Sequence, residues 1–132
     1  MLMGEGMEKT VTTKSRNMVD GFSTYNSSTL FLKLKCIPRN FMICIATVFG
    51  EGFIARDFTV INTAGPTKHQ VVALHVQSNF AAFLWVNISA YQNTLCAHSL
   101  HQFYKDCRIY DTVDFILGNV ATIFQSCQIF AR

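Results

Sequence analysis

The chain has 132 residues, 50% of them apolar and 14% charged, with 12 Phe and a formal net charge of +3. This composition excludes an intrinsically disordered chain, and the length predicts one domain or part of one. The 11 basic residues are scattered rather than clustered, so no nucleic-acid patch is indicated, although mild attraction to an anionic partner remains open.

The chain opens with Met1-Leu2-Met3-Gly4-Glu5-Gly6, which has no basic region followed by an apolar one and is not read as a secretory signal. The longest apolar stretch, Leu30 to Phe49, is broken by Lys33, Lys35, Pro38 and Arg39. A membrane span needs about 20 nearly uninterrupted apolar residues, so none is expected here. Five cysteines, Cys36, Cys44, Cys96, Cys107 and Cys127, cannot all pair internally. Two sequons, at Asn26 and Asn87, fit a secreted protein but are common by chance.

Residues 31–45 share no repeat with the later chain and do not read as a linker, because linkers are polar or rich in Gly and Ser. Beyond them, four segments align without gaps: Ile54–Val60, Ala82–Ile88, Phe103–Ile109 and Ile123–Ile129. Their fifth position is Phe, Val or Cys, their sixth is polar, and their seventh is Val or Ile. Apolar residues flanking a polar one predict a short strand with one buried face. Offsets of 28, 21 and 20 residues between segments favour a parallel β-helix, in which each coil lays a strand on the preceding one. An antiparallel sandwich is the competing architecture. The strand-like runs Val71–Val76 and Asp114–Leu117 fit a coil that contains more than one strand.

The repeat offset also aligns polar residues. Asn93 lies seven residues after Val86, and Asp114 seven residues after Cys107, which predicts equivalent places on adjacent coils about 4.8 Å apart. Gln70 and Gln92 fall near the same line. A carboxylate among amide donors can attack an ester carbonyl while the amides hold the oxyanion. A structural ladder satisfying backbone groups is the alternative reading of the same row. Cys96, His98 and His101 have ligand-like side chains, yet a structural zinc site wants four ligands and no second cluster is evident. Asp57, Asp106 and Asp111 are expected to be solvated. Phe83, Trp85, Tyr104 and Phe124 are expected to pack in the core, with sugar stacking as the minor option.

Over Gly50 to Arg132 the sequence resembles the plant pectinesterases (pectin methylesterases). The resemblance is carried by Gly50–Asp57, Asn62-Thr63-Ala64-Gly65-Pro66, Lys68–Leu74, Ala90-Tyr91-Gln92-Asn93-Thr94-Leu95 and Thr112–Asn119. The last two look like the family's G-Y-Q-D-T-L and T-V-D-F-I-F-G-N motifs. Met1–Ser28 is similar to the family's preceding segment, through Gly4–Met7 and Asn17–Gly21.

The resemblance implies an all-β fold, a right-handed, single-stranded parallel β-helix, here incomplete. It implies hydrolysis of methyl esters of galacturonate residues in pectin, which releases methanol and leaves an acidic polymer. Asp114 would be the nucleophile, Gln70 and Gln92 would stabilise the oxyanion and contact substrate, and no metal or organic cofactor is implied. The partner would be pectin, with no nucleic acid and no membrane. The protein would act as a secreted, cell-wall monomer.

The departures from the family pattern matter equally. Asn93 stands where the family has the Asp that acts as general acid and base, and an amide can neither give nor take that proton. Asp111 stands where the family usually has Gly, Cys96 replaces a usual Tyr, and Val86 replaces a common Cys. The chain stops before the family's later G-R-P-W segment, which supplies an Arg and a Trp, and Cys127 is expected to have its partner beyond Arg132. Residues 1–132 are thus read as part of a catalytic domain, impaired as written. Residues 31–45 are read as a non-matching insertion of the kind an unspliced intron or a gene-model error leaves, which sequencing the transcript tests. A catalytically inactive pectin-binding or structural β-helix fragment is the alternative.

Overall fold

The computed structural model describes residues 1–15, 30–33, 44–65, 72–98 and 100–132. Among the described residues, thirteen β-strands make up the regular structure. Strands β1 (Leu2–Met3), β2 (Val11–Lys14), β5 (Ile54–Asn62), β7 (Ala81–Ser89), β9 (His101–Lys105), β10 (Arg108–Asp111), β12 (Ala121–Gln125) and β13 (Gln128–Ala131) form one sheet. Strands β3 (Leu30–Lys33), β4 (Cys44–Glu51), β6 (Val72–Asn79), β8 (Leu95–Ala97) and β11 (Ile116–Leu117) form the other. Every pairing in both sheets is parallel. Among the described residues no helix is long and apolar enough to cross a membrane.

The registers follow the sequence offsets. Ile54 lies opposite Ala82, Ala82 opposite Phe103, and Phe103 opposite Ile123, which are steps of 28, 21 and 20 residues. The second sheet climbs in step: Ala46 faces Leu74, Leu74 faces Leu95, and Leu95 faces Ile116. Each coil therefore contributes to both sheets, and the parallel β-helix prevails over the antiparallel sandwich.

The core is a set of ladders running along the coil stack. Phe58, Val86 and Cys107 stack at the fifth position of the repeat, and Val60, Ile88 and Ile109 at the seventh, all buried. Phe83 and Tyr104 are fully buried, their rings stacked 4.9 Å apart, and Phe124 continues the stack at 5.0 Å from Tyr104. Burying such rings supplies the largest apolar contribution per residue, and offset stacking adds about 0.5–1.5 kcal/mol a pair. The Tyr104 hydroxyl donates to Gln102 Oε1, and Gln102 Nε2 donates to the Val76 carbonyl, so the buried polar groups inside this stack are paired.

The repeated segment is not one straight strand, as its pattern suggested. Its fourth position adopts a left-handed backbone in all four coils: Asp57 (φ 61°), Trp85 (φ 50°), Asp106 (φ 53°) and Ser126 (φ 54°). A left-handed residue turns the chain and resets which face the next side chain occupies. That explains why apolar positions two and five, spaced by three, both point inward. Trp85 is consequently outside, 41% exposed, with the Arg56 guanidinium 5.0 Å from its ring centroid. The expectation of a core Trp85 is corrected, whereas Phe83 and Tyr104 are in the core and Phe124 packs against it.

Of residues 31–45, those in β3 pair with β4, Phe31 facing Thr47 and Lys33 facing Phe49, and residues 44 and 45 open β4. Residues 34–43 lie outside the described residues, as do Asn26 and Gln70.

Candidate active site

The site residues stand on the turns joining the two sheets. After β7 the chain runs through Ala90–Thr94 into β8, and one coil later it runs from β10 through Thr112–Phe115 into β11. Gln92 and Val113 form an isolated parallel bridge, so Asn93 and Asp114, each next along the chain, are equivalent residues of neighbouring coils. The Asn93 N–H donates to the Val113 carbonyl at 3.4 Å, and the Leu95 N–H to the Phe115 carbonyl at 3.0 Å. Both site residues are left-handed, Asn93 at φ 58° and Asp114 at φ 56°. Asn and Asp tolerate this region better than most residues, and such conformations persist where the surroundings over-determine them. Asn93 is buried at 4% exposure, Gln92 is partly exposed, and the Asp114 carboxylate stands in solvent reach.

Side chains lash the two turns together. Asp111 Oδ2 accepts from the Thr94 N–H at 2.8 Å, and Asp111 Oδ1 accepts from the Thr112 N–H at 2.7 Å. Thr94 Oγ1 donates to the Tyr110 carbonyl at 3.1 Å, while Thr112 Oγ1 donates to the Tyr91 carbonyl. Asp111 is fully buried, which corrects the expectation of a solvated side chain. The physical reason is strand alternation: Ile109 points in, Tyr110 out, and Asp111 in again, with backbone N–H groups waiting there for an acceptor. Motif reading singles out Asp111 as a departure from the family's Gly but does not foresee its burial between the two turns. Its inward parity after Ile109 was the available signal.

Beside the turns, Arg132 Nη2 donates to Ser89 Oγ at 2.8 Å. Its guanidinium carbon lies 5.5 Å from the Tyr91 ring centroid and 5.6 Å from that of Tyr110. A cation is thereby held against the aromatic residue that precedes Gln92.

The other sequence candidates do not converge. The His98 ring packs edge-on against His75 at 5.6 Å, whereas His101 stacks on Phe80 and meets Asn79 Oδ1. Among the described residues no three His, Cys, Asp or Glu side chains are grouped to hold a metal ion. Burial, and then the neighbouring His98, hold His75 down to about 4. Cys107 and Cys127 are free thiols on adjacent coils, and burial pushes the Cys107 thiol up to about 12.

A parallel β-helix carrying a carboxylate and an amide on neighbouring turns matches one protein class throughout: the Pectinesterase family model covers residues 1–132, and the chain belongs to the pectinesterase family. Across all 132 residues it is 48% identical to the probable pectinesterase/pectinesterase inhibitor 36 of Arabidopsis thaliana, of which it spans 22%, and 47% identical to pectinesterase 1 of Citrus sinensis, of which it spans 20%. The chain thus covers about a fifth of the length of these relatives. The carrot pectin methylesterase structure superposes with a TM-score of 0.77 at 43% identity, over 98% of this chain and 36% of that one. The enzyme PemA from Erwinia chrysanthemi gives a TM-score of 0.73 at 28% identity, over 99% of this chain and 40% of that one.

Proposed function

We propose that this chain carries the central part of a pectin methylesterase site, one that hydrolyses methyl esters of galacturonate in pectin and releases methanol. The observation that carries the reading is the pairing of Gln92 with Val113, which sets position 93 beside Asp114 on adjacent turns. Asp114 attacks the ester carbonyl, and the Gln92 and Gln70 amides hold the developing oxyanion. Methoxide leaves with a proton, and water then cleaves the acyl-enzyme. In the family pattern an acid at position 93 gives the proton that departs with methanol and takes one back from the attacking water. An amide there cannot do so, which costs about 10²–10⁴ in rate. A pectin methylesterase has been crystallised with a hexasaccharide, which supports polymeric pectin as the ligand of this site. Family membership supports a secreted, cell-wall protein acting as a monomer.

The buried Asn93 favours a second reading, a pectin-binding β-helix without turnover. Methanol release from methyl-esterified pectin separates the two. Low but measurable release, abolished by Asp114→Asn, is expected for a hydrolase. Binding with no release above that variant favours the silent module.

A further inference from the structure

Asp111 is the unusual group of this site. It is a carboxylate at 0% exposure, and among the described residues no ion pair reaches it. Both of its oxygens are instead taken up by backbone N–H groups, one from each turn: Thr94 at 2.8 Å and Thr112 at 2.7 Å. Charge-assisted bonds of this kind are about twice as strong as neutral ones and hold an ionised carboxylate in place without a cation. The Thr94 nitrogen is the peptide nitrogen that comes after Asn93, so covalent geometry puts the Asn93 Cα within roughly 5 Å of Asp111 Oδ2. Asn93 itself is 4% exposed. Side-chain reach keeps a carboxylate at position 93 within roughly 9 Å of Asp111 Oδ2, and two anions at that range, both shielded from water, repel each other.

We propose that Asn93 and Asp111 are a coupled amide–carboxylate pair that holds a single negative charge, with Asp111 the positioning residue that carries it. The buried turn admits one anion. Asp111 supplies it, grips the Gln92–Asn93 turn against the Asp114 turn, and leaves position 93 neutral. A carboxylate restored at position 93 alone would meet Asp111 across the same peptide. Moving the charge, by exchanging both residues together, should be accepted.

The consequence for turnover rests on the proposed esterase activity; the coupling itself does not. The test uses the full chain as four proteins: the parent, Asn93→Asp, Asp111→Asn and the double exchange, each melted at neutral pH. Asn93→Asp is expected to lower Tm by about 5 °C in the parent and by less than half as much when residue 111 is Asn. Equal shifts in both backgrounds would overturn the pairing. If Asn93→Asp does not fold, the double exchange must recover a cooperative transition, and its failure to do so also overturns the proposal. Methanol release is the second readout. The double exchange should exceed Asn93→Asp by about tenfold, because the repulsion across the Thr94 peptide is relieved. Release that is equal in the two, where both turn over, counts against the pair. No release from either, with the Tm coupling intact, counts against the esterase reading and leaves the pair standing.

Discussion

Two columns of left-handed residues run up this molecule, and they are built differently. At the sheet bend, Asp57, Trp85, Asp106 and Ser126 share one backbone conformation although an acid, an aromatic and a hydroxyl side chain are all among them. Backbone pairing flanks them on both sides, as where Arg56 faces Leu84 and Phe58 faces Val86. In the site column, Asn93 and Asp114 have nearly the same φ, with the isolated Gln92–Val113 bridge on one side and the Leu95 N–H to Phe115 carbonyl bond on the other. There, Asp111, Thr94 and Thr112 add side-chain hydrogen bonds to a sparser backbone ladder. A bend fixed by ladders tolerates any residue that can enter the left-handed region. A bend fixed by named side chains does not, and under the proposed function the second kind leaves the outer face of the turn open to substrate.

The largest effect should come from closing the strand that leaves the site turn. Gly118 sits at φ 131°, and a Cβ built there would lie 1.6 Å from the Ala97 carbonyl oxygen of the coil below. Strain and backbone clash together put Gly118→Ala at about 4 kcal/mol of lost stability, read as a lowered denaturant midpoint. A midpoint unchanged from the parent would show that the site side is as forgiving as the bend.

Acid should weaken the site side next. His75 on β6 pairs in register with Cys96, two residues beyond Thr94. Its ring is held neutral in the fold, from an ordinary 6.5 down to about 4. Between those values the unfolded chain binds a proton that the folded chain refuses, so stability is full above about pH 6.5 and falls as pH drops toward 4. The loss is on the order of 3 kcal/mol. His75→Leu should flatten this dependence in urea melts taken at steps between pH 7 and 4, and an unaltered slope would assign the acid sensitivity elsewhere. Thr112→Val is smaller, about 1 kcal/mol, since it removes only the bond to the Tyr91 carbonyl. Amide exchange should quicken at residues 91–94 while β7 stays protected.

Much of this fold was legible because the repeat is a register: the offset from Ile54 to Ala82 in the sequence is the pairing of Ile54 with Ala82 in the sheet. The alignment of Asn93 with Asp114 came from the same arithmetic. What escaped was conformation at single residues. Nothing in the alternation of Phe103-Tyr104-Lys105-Asp106 announces that Asp106 turns left-handed, because Asp, Trp and Ser share no pattern beyond being able to do so. The burial of Asp111 escaped for a related reason. Charge argues for solvent, and only knowledge of the two N–H groups it meets reverses that argument.

The smallest expected effect is also the sharpest contrast between the columns, because it makes one chemical change in both. Asp106→Asn exchanges carboxylate for amide at the bend, where its own N–H already donates to the Gln125 carbonyl at 3.0 Å and the left-handed backbone suits Asn as well as Asp. Stability should move by no more than about 0.5 kcal/mol. Asp111→Asn makes the same change between the site turns, where an amide can accept from only one of the two N–H groups and turns a donor toward the other. That arrangement costs about 1–3 kcal/mol. Parallel melts of the two variants read the difference directly. Equal shifts would mean that the site turns are held by the coil stack and not by the side chains between them.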